Sequence, residues 1–167
     1  MFCKQGMEAV NARSVAKTLN CSTQPIFSYF SGMEDLKTAL DQKAREVYQT
    51  TVSDAIEKEP GALGCCRAYV RFAKEQPRLF AHLFLRMGEN CEPPKMDDAL
   101  HARMLKEESE LSGTAQEQTD AYLAKLWIFT HGLAALIASD CAGFTLEQVD
   151  DMLASVRGDL ILGCKQA

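Results

Sequence analysis

The stretch Asn11-Ala-Arg-Ser-Val-Ala-Lys-Thr-Leu-Asn-Cys-Ser-Thr-Gln-Pro-Ile-Phe-Ser-Tyr-Phe30 decides how the chain is read. Ala12, Val15, Ala16 and Leu19 follow the i, i+3, i+4, i+7 spacing of a buried helical stripe. Asn11 stands at the N-cap, where its side chain can accept a bond from an unpaired backbone N–H. Asn20 follows the last apolar residue and tolerates the left-handed conformation that ends helices. Ser22 is expected to cap a second short helix. Pro25 falls at its third position, where a missing N–H costs little because first-turn donors have no intrahelical partner. Ile26, Phe27 and Phe30 give that helix an apolar side and leave Thr23, Gln24 and Ser28 outward. Two short helices around a tight turn are the build of a helix-turn-helix, whose second helix reads base edges in the major groove. Any packed helical hairpin shares the same local pattern, so the pattern leaves both readings open.

After Phe30 the spacing Ser31-x-x-Glu34 is that of a capping box. It predicts a long helix to about Glu59, with Leu36, Leu40, Ala44, Val47, Val52, Ala55 and Ile56 on its inner side. Pro60-Gly61 breaks it. Downstream the pattern stays helical, with joints at Pro77, Gly88, Pro93-Pro94, Gly113 and Gly143. Helices are expected over 62–76, 78–87, 96–111, 114–140 and 145–162, with a loop over 89–95. Thr114/Glu117 and Thr145/Gln148 read as further capping boxes, the latter with Phe144 and Val149 as a hydrophobic staple. No strand pattern and no internal repeat is evident.

Composition narrows the function. The chain has 167 residues, 47% of them hydrophobic. At this size folding buries roughly 70% of the unfolded surface, enough for one substantial core or a small head on a larger body. No apolar run reaches the ~18 residues of a membrane span, and the N-terminus lacks a signal-peptide pattern. The expectation is a soluble, cytoplasmic protein. Seven cysteines, at 3, 21, 65, 66, 91, 141 and 164, include no CxxC pair. They read as reduced thiols acting as small buried hydrophobes. Net charge is −5. Residues 1–45 hold six Lys/Arg against four Asp/Glu, a net of +2, which leaves −7 on the rest. A mildly basic end on an acidic body suits DNA contact confined to that end. There is no Gly-rich phosphate loop, no nucleophile beside a base and no metal-ligand spacing. Neither catalysis, nor a cofactor, nor a metal is expected.

The run Ile26-Phe27-x-Tyr29-Phe30-x-x-x-Glu34-x-Leu36, with the residues from Gly6 onward, resembles the DNA-binding domain of TetR-family transcriptional regulators. Trp127-x-x-x-His131-Gly132 resembles an element of one TetR C-terminal subclass, and Ala68–Phe80, with its Pro-initiated second helix, is similar to the same subclass. The resemblance implies an all-α protein: a helix-turn-helix head over 1–45 on a helical ligand-binding and dimerisation domain over 46–167. It also implies a full helix before Gly6, of which Met1–Gln5 leaves barely one turn, so a shortened first helix is expected.

Carried over position by position, the resemblance gives base readout to Thr23, Gln24 and Ser28, with Arg13 reaching base or phosphate. Asn11, Lys17, Ser22 and Tyr29 would touch the DNA backbone. Phe27 and Met33 depart from the family's usual tyrosine and lysine, which implies weaker phosphate anchoring. Tyr69, Phe72, Phe80, Phe84, Met87, Trp127 and His131 are the candidate lining of an apolar effector pocket, although each is also an ordinary core residue by type. The last two helices, about 114–162, would pair with a second copy. Their apolar stripes are Leu126, Phe129, Leu133, Leu136 and Ile137, and Leu146, Val149, Leu153, Val156, Leu160 and Ile161. The function implied is a repressor that binds operator DNA as a homodimer and is released by a small apolar or aromatic effector. The alternative is a ligand-binding helical dimer that has lost DNA binding with its first helix.

Overall fold

The computed structural model describes residues 6–85 and 98–166. Met87, Cys3, Cys91 and the loop expected over 89–95 lie outside these. The described residues form eight α-helices and no strand, after a short 3-10 turn at Met7–Ala9. The helices are α1 (Ala12–Leu19), α2 (Gln24–Tyr29), α3 (Met33–Lys58), α4 (Ala62–Glu75), α5 (Pro77–Phe84), α6 (Asp98–Ser112), α7 (Gln116–Ala138) and α8 (Leu146–Gln166). The all-α expectation holds.

Local chemistry sets the ends. Asn11 Oδ1 accepts the Ser14 N–H at 2.9 Å, and Ser14 Oγ accepts the Asn11 N–H at 3.0 Å. Asn20, at φ 53°, closes α1 in the left-handed region. Helix α2 departs from expectation. Thr23, already at helical dihedrals, holds the N-cap position without a side-chain bond, and Ser22 does not cap. The helix starts at Gln24, which puts Pro25 second rather than third.

The Ser31/Glu34 box does not form either. Gly32 occupies the N-cap of α3, so the third helical residue is Asp35, not Glu34. Asp35 Oδ2 accepts from the Ser31 N–H at 3.0 Å and from its hydroxyl at 3.2 Å. Glu34 pairs with Lys37 instead. At α7 the Ala115 N–H donates to Gln118 Oε1, while Thr114 turns inward to the hydroxyls of Ser112 and Thr119. The Thr145/Gln148 box is present in both directions, at 2.9 and 3.2 Å.

Two separate hydrophobic cores result. The smaller packs Val10, Ala16, Ile26 and Leu36, flanked by Val15, Phe30, Met33 and Leu40. It is too small to reach Leu19 (64% exposed) or to enclose Phe27, both expected inside. The larger core runs from Ala44 through α4, α5 and α7 to Leu153. Helix α4 is its axis, packed against α3, α7 and α8. Helix α3 joins both cores. Its inner line steps in fours through Ala44, Tyr48, Val52 and Ile56, so Tyr48 turns in and Val47 faces solvent.

A buried carboxylate ties the larger core together. Glu108 of α6 is 1% exposed. Its Oε1 accepts from Tyr122 OH at 2.6 Å and from Arg157 Nε at 2.5 Å, and its Oε2 accepts from the Ala62 N–H at 2.8 Å. One side chain therefore fixes α6 to α7, α8 and the start of α4. Gly61 precedes that start at φ +88°, and a Cβ there would lie 2.6 Å from Glu108 Oε2.

Helix α7 is long and apolar enough to cross a membrane by length and composition. This qualifies the expectation drawn from uninterrupted apolar runs. Tyr122, Leu123, Leu126, Thr130, Leu133 and Ala134 bury one face of it inside the bundle.

Candidate functional site

A cavity of about 650 Å³ opens between α3, α4, α6 and α7. Helix α3 contributes Tyr48 and Val52, and α4 contributes Ala62, Cys65, Cys66 and Tyr69. Asp98, His101 and Met104 come from α6, and Asp120, Leu123, Leu126, Trp127 and Thr130 from α7. Its size and largely apolar wall with a few polar groups are those of a small-molecule site.

Of the expected lining, Tyr69 and Trp127 face this cavity. Phe72, Phe80 and Phe84 do not line it, and stand behind as a second layer of rings. Tyr48 meets Phe84 at 4.8 Å and Phe72 at 5.5 Å, and Tyr69 meets Phe80 at 5.1 Å, all edge-on. Edge-to-face rings are worth about 0.5–1.5 kcal/mol per pair beyond their burial, so this layer is a stiff support. His131 also sits behind the wall. Trp127, one helical turn earlier on α7, stacks on it at 5.0 Å and 11°. Tyr69 OH lies 2.8 Å from His131 Nδ1. Burial holds the His131 imidazole below its ordinary 6.5, which favours the neutral ring, a group that donates at one nitrogen and accepts at the other.

Sequence reasoning missed Tyr48, Val52, Cys65, Cys66, His101 and Met104 as wall residues. Tyr48 and Val52 were legible through their four-residue steps from Ala44. Cys65 and Cys66 show why their side chains are quiet. Burial, with neighbouring acidic groups, pushes the Cys65 thiol up to about 12, and burial pushes Cys66 up to about 11. They behave as the expected small hydrophobes. Cys21 and Cys141 are exposed, contrary to that expectation, and all the cysteines described are free thiols.

The residues assigned to DNA stand on the small head. Asn11, Arg13, Lys17, Ser22, Gln24, Ser28 and Tyr29 are exposed, and Thr23 is half-buried. Gln24 and Ser28 share a face of α2, and Arg13 and Lys17 share one of α1, each at i, i+4. Two of the eight are already engaged locally. Asn11 caps α1, and the Ser28 hydroxyl donates to the Pro25 carbonyl at 2.9 Å.

The expected dimer stripes divide. Leu126, Leu133, Val149 and Leu153 are buried within the subunit, while Leu136 of α7 (48% exposed) and Leu146 of α8 (39% exposed) face outward.

The fold is an all-α bundle with a small-molecule-sized cavity between four of its helices. Residues 62–156, which contain α4 to α7 and half of α8, match the tetracyclin repressor-like C-terminal domain. The chain belongs to that family of TetR-like proteins, and membership in a regulatory family points away from an enzyme. A comparison with curated proteins finds no match.

Proposed function

We propose that the protein is a TetR-like repressor. Its head over residues 1–45 binds operator DNA, and its body over 46–167 binds a small effector and a second copy of the chain. One observation carries the reading: a single unbroken helix serves both parts. Leu36 of α3 is buried in the head core, and Tyr48 and Val52 of the same helix line the cavity. An effector that displaces Tyr48 must move α3 or expel the ring from its packing against Phe84 and Phe72. Either response reaches the head through Leu36 and Leu40. Release of DNA then requires the effector to bind the two arrangements unequally.

In this reading Thr23, Gln24 and Ser28 present to the major groove, and Arg13 and Lys17 meet phosphates. Two-fold pairing sets the spacing of two half-sites. The exposed Leu136 of α7 and Leu146 of α8 support pairing through the last two helices, because such apolar side chains are covered when two copies meet.

A mobility-shift assay on DNA flanking the protein's own gene tests the reading. A retarded band that weakens with Gln24→Ala and with rising salt is expected. If no such DNA is bound, the regulator reading fails and a ligand-binding dimer remains.

A further inference from the structure

The two carboxyl groups of the cavity wall, Asp98 and Asp120, are met by no lysine or arginine among the described residues of the lining. Both are exposed, and neither makes an ion pair among the described residues. Two of the remaining polar groups are already engaged: the Tyr69 phenol with His131 Nδ1 at 2.8 Å, and Thr130 Oγ1, which donates to the Leu126 carbonyl at 2.8 Å. Tyr48, His101 and Trp127 keep hydrogen-bond donors on the wall, while the two carboxylates, when ionised, only accept. A carboxylate ligand would therefore meet two like charges with no lysine or arginine among the described lining residues to offset them. An ammonium group meets two opposite charges and the ring of Trp127, the best aromatic partner for a cation. Val52, Met104 and Leu123 leave the rest of the space apolar.

We propose that the cavity selects a protonated organic amine with an apolar or aromatic body, its ammonium group lying toward Asp98 and Asp120. The proposal rests on reading the cavity as the effector site, and it fixes the charge of what enters. Carboxylates about 6 Å from an ammonium in partly wet surroundings change affinity on the order of tenfold.

Trp127 is the sole tryptophan, and it lies in the wall, so its emission reports occupancy directly. The full chain is titrated with three probes of one shape: 4-phenylbutylamine, 4-phenylbutanol and 4-phenylbutyrate. The amine is expected to bind about tenfold more tightly than the alcohol, with the carboxylate weakest. Asp98→Asn with Asp120→Asn should weaken the amine about tenfold more than the alcohol, and each single variant should do so by a smaller factor. Thermal melts check that the variants stay folded. Equal affinity for the amine and the carboxylate overturns the proposal, as does an amine preference that survives the double variant. In both cases the alcohol still shifts Trp127 and the effector-site reading stands. If none of the three probes alters Trp127, that reading falls as well.

Discussion

The head and the body of this protein are held together by different means. The head encloses Val10, Ala16, Ile26 and Leu36 and leaves Leu19, Phe27 and Tyr29 largely in water. The body buries a continuous layer from Ala44 to Leu153, crossed by edge-on rings and pinned by Glu108. Buried apolar area sets most of the stabilisation, at roughly 25 cal/mol per Å². The head is therefore the part that gives way first, and the body is the part that keeps its shape. In the regulator proposed above this inequality is useful. A rigid cavity wall can discriminate ligands, while a lightly held head can be repositioned by small forces along α3.

The largest test of this contrast breaks the body. Glu108→Ala strips a partner from Arg157, Tyr122 and the Ala62 N–H together. Removing one member of a buried ion pair costs about 3–5 kcal/mol. Urea unfolding should show the whole body losing that much, with Tyr122→Phe costing about 1–2 kcal/mol because only one hydrogen bond to the charge is lost. If Glu108→Ala unfolds at the wild-type midpoint, the body is not pinned as described.

Next comes the head. Ile26→Ala removes the most enclosed side chain of α2, at about 2–4 kcal/mol. The expected result is local: amide protection lost across residues 10–36, with the Trp127 unfolding transition unmoved. A shifted Trp127 transition would mean that head and body fold as one unit.

The joint between α3 and α4 comes third. Gly61→Ala places a Cβ at φ +88° within 2.6 Å of Glu108 Oε2. A strained backbone of this kind costs about 1–3 kcal/mol, read as a lower urea midpoint. The double variant Gly61→Ala with Glu108→Ala should cost less than the sum, since the contact with Glu108 is lost while the one with Leu111 Cδ1 at 2.8 Å and the strained φ remain.

The same contrast explains what the sequence revealed. Helix periods, Asn11, Asn20 and the Thr145/Gln148 box are local signals, and they placed the elements well. The cavity is made by convergence of four helices, and no local signal carries that. Glu108 sits in the run Lys106-Glu-Glu-Ser-Glu110, which reads as a solvated face. Only its four-residue steps from Met104 and to Ser112, both buried, set it apart. Met104 and His101 were lost in the same charged helix. The rings were read correctly as inward, but periodicity cannot tell Tyr69 at the wall from Phe80 behind it.

The smallest expected effect is one of pH, and it separates the two regions by composition. Every histidine, at 82, 101 and 131, lies outside residues 1–45. Burial holds His131 below 6.5 in the folded state, so the unfolded chain takes up the proton first. Stability then rises with pH across this window, because the unfolded state binds more protons there. The contribution of His131 is present above about 6.5 and is lost as pH falls through its folded value. The ring is only partly buried, so solvent screens the effect and keeps it below those of the substitutions above. Unfolding midpoints between pH 7.5 and 5 should fall for the wild type more than for His131→Gln, and the difference between the two isolates this residue from His82 and His101. The ring's own NMR titration gives the sign directly, with an inflection below 6.5 expected. An inflection above 6.5 would mean that the stacked Trp127 face favours the imidazolium more than burial opposes it. Amides of α1 and α2 followed in the same titration should stay level, since neither helix holds a histidine.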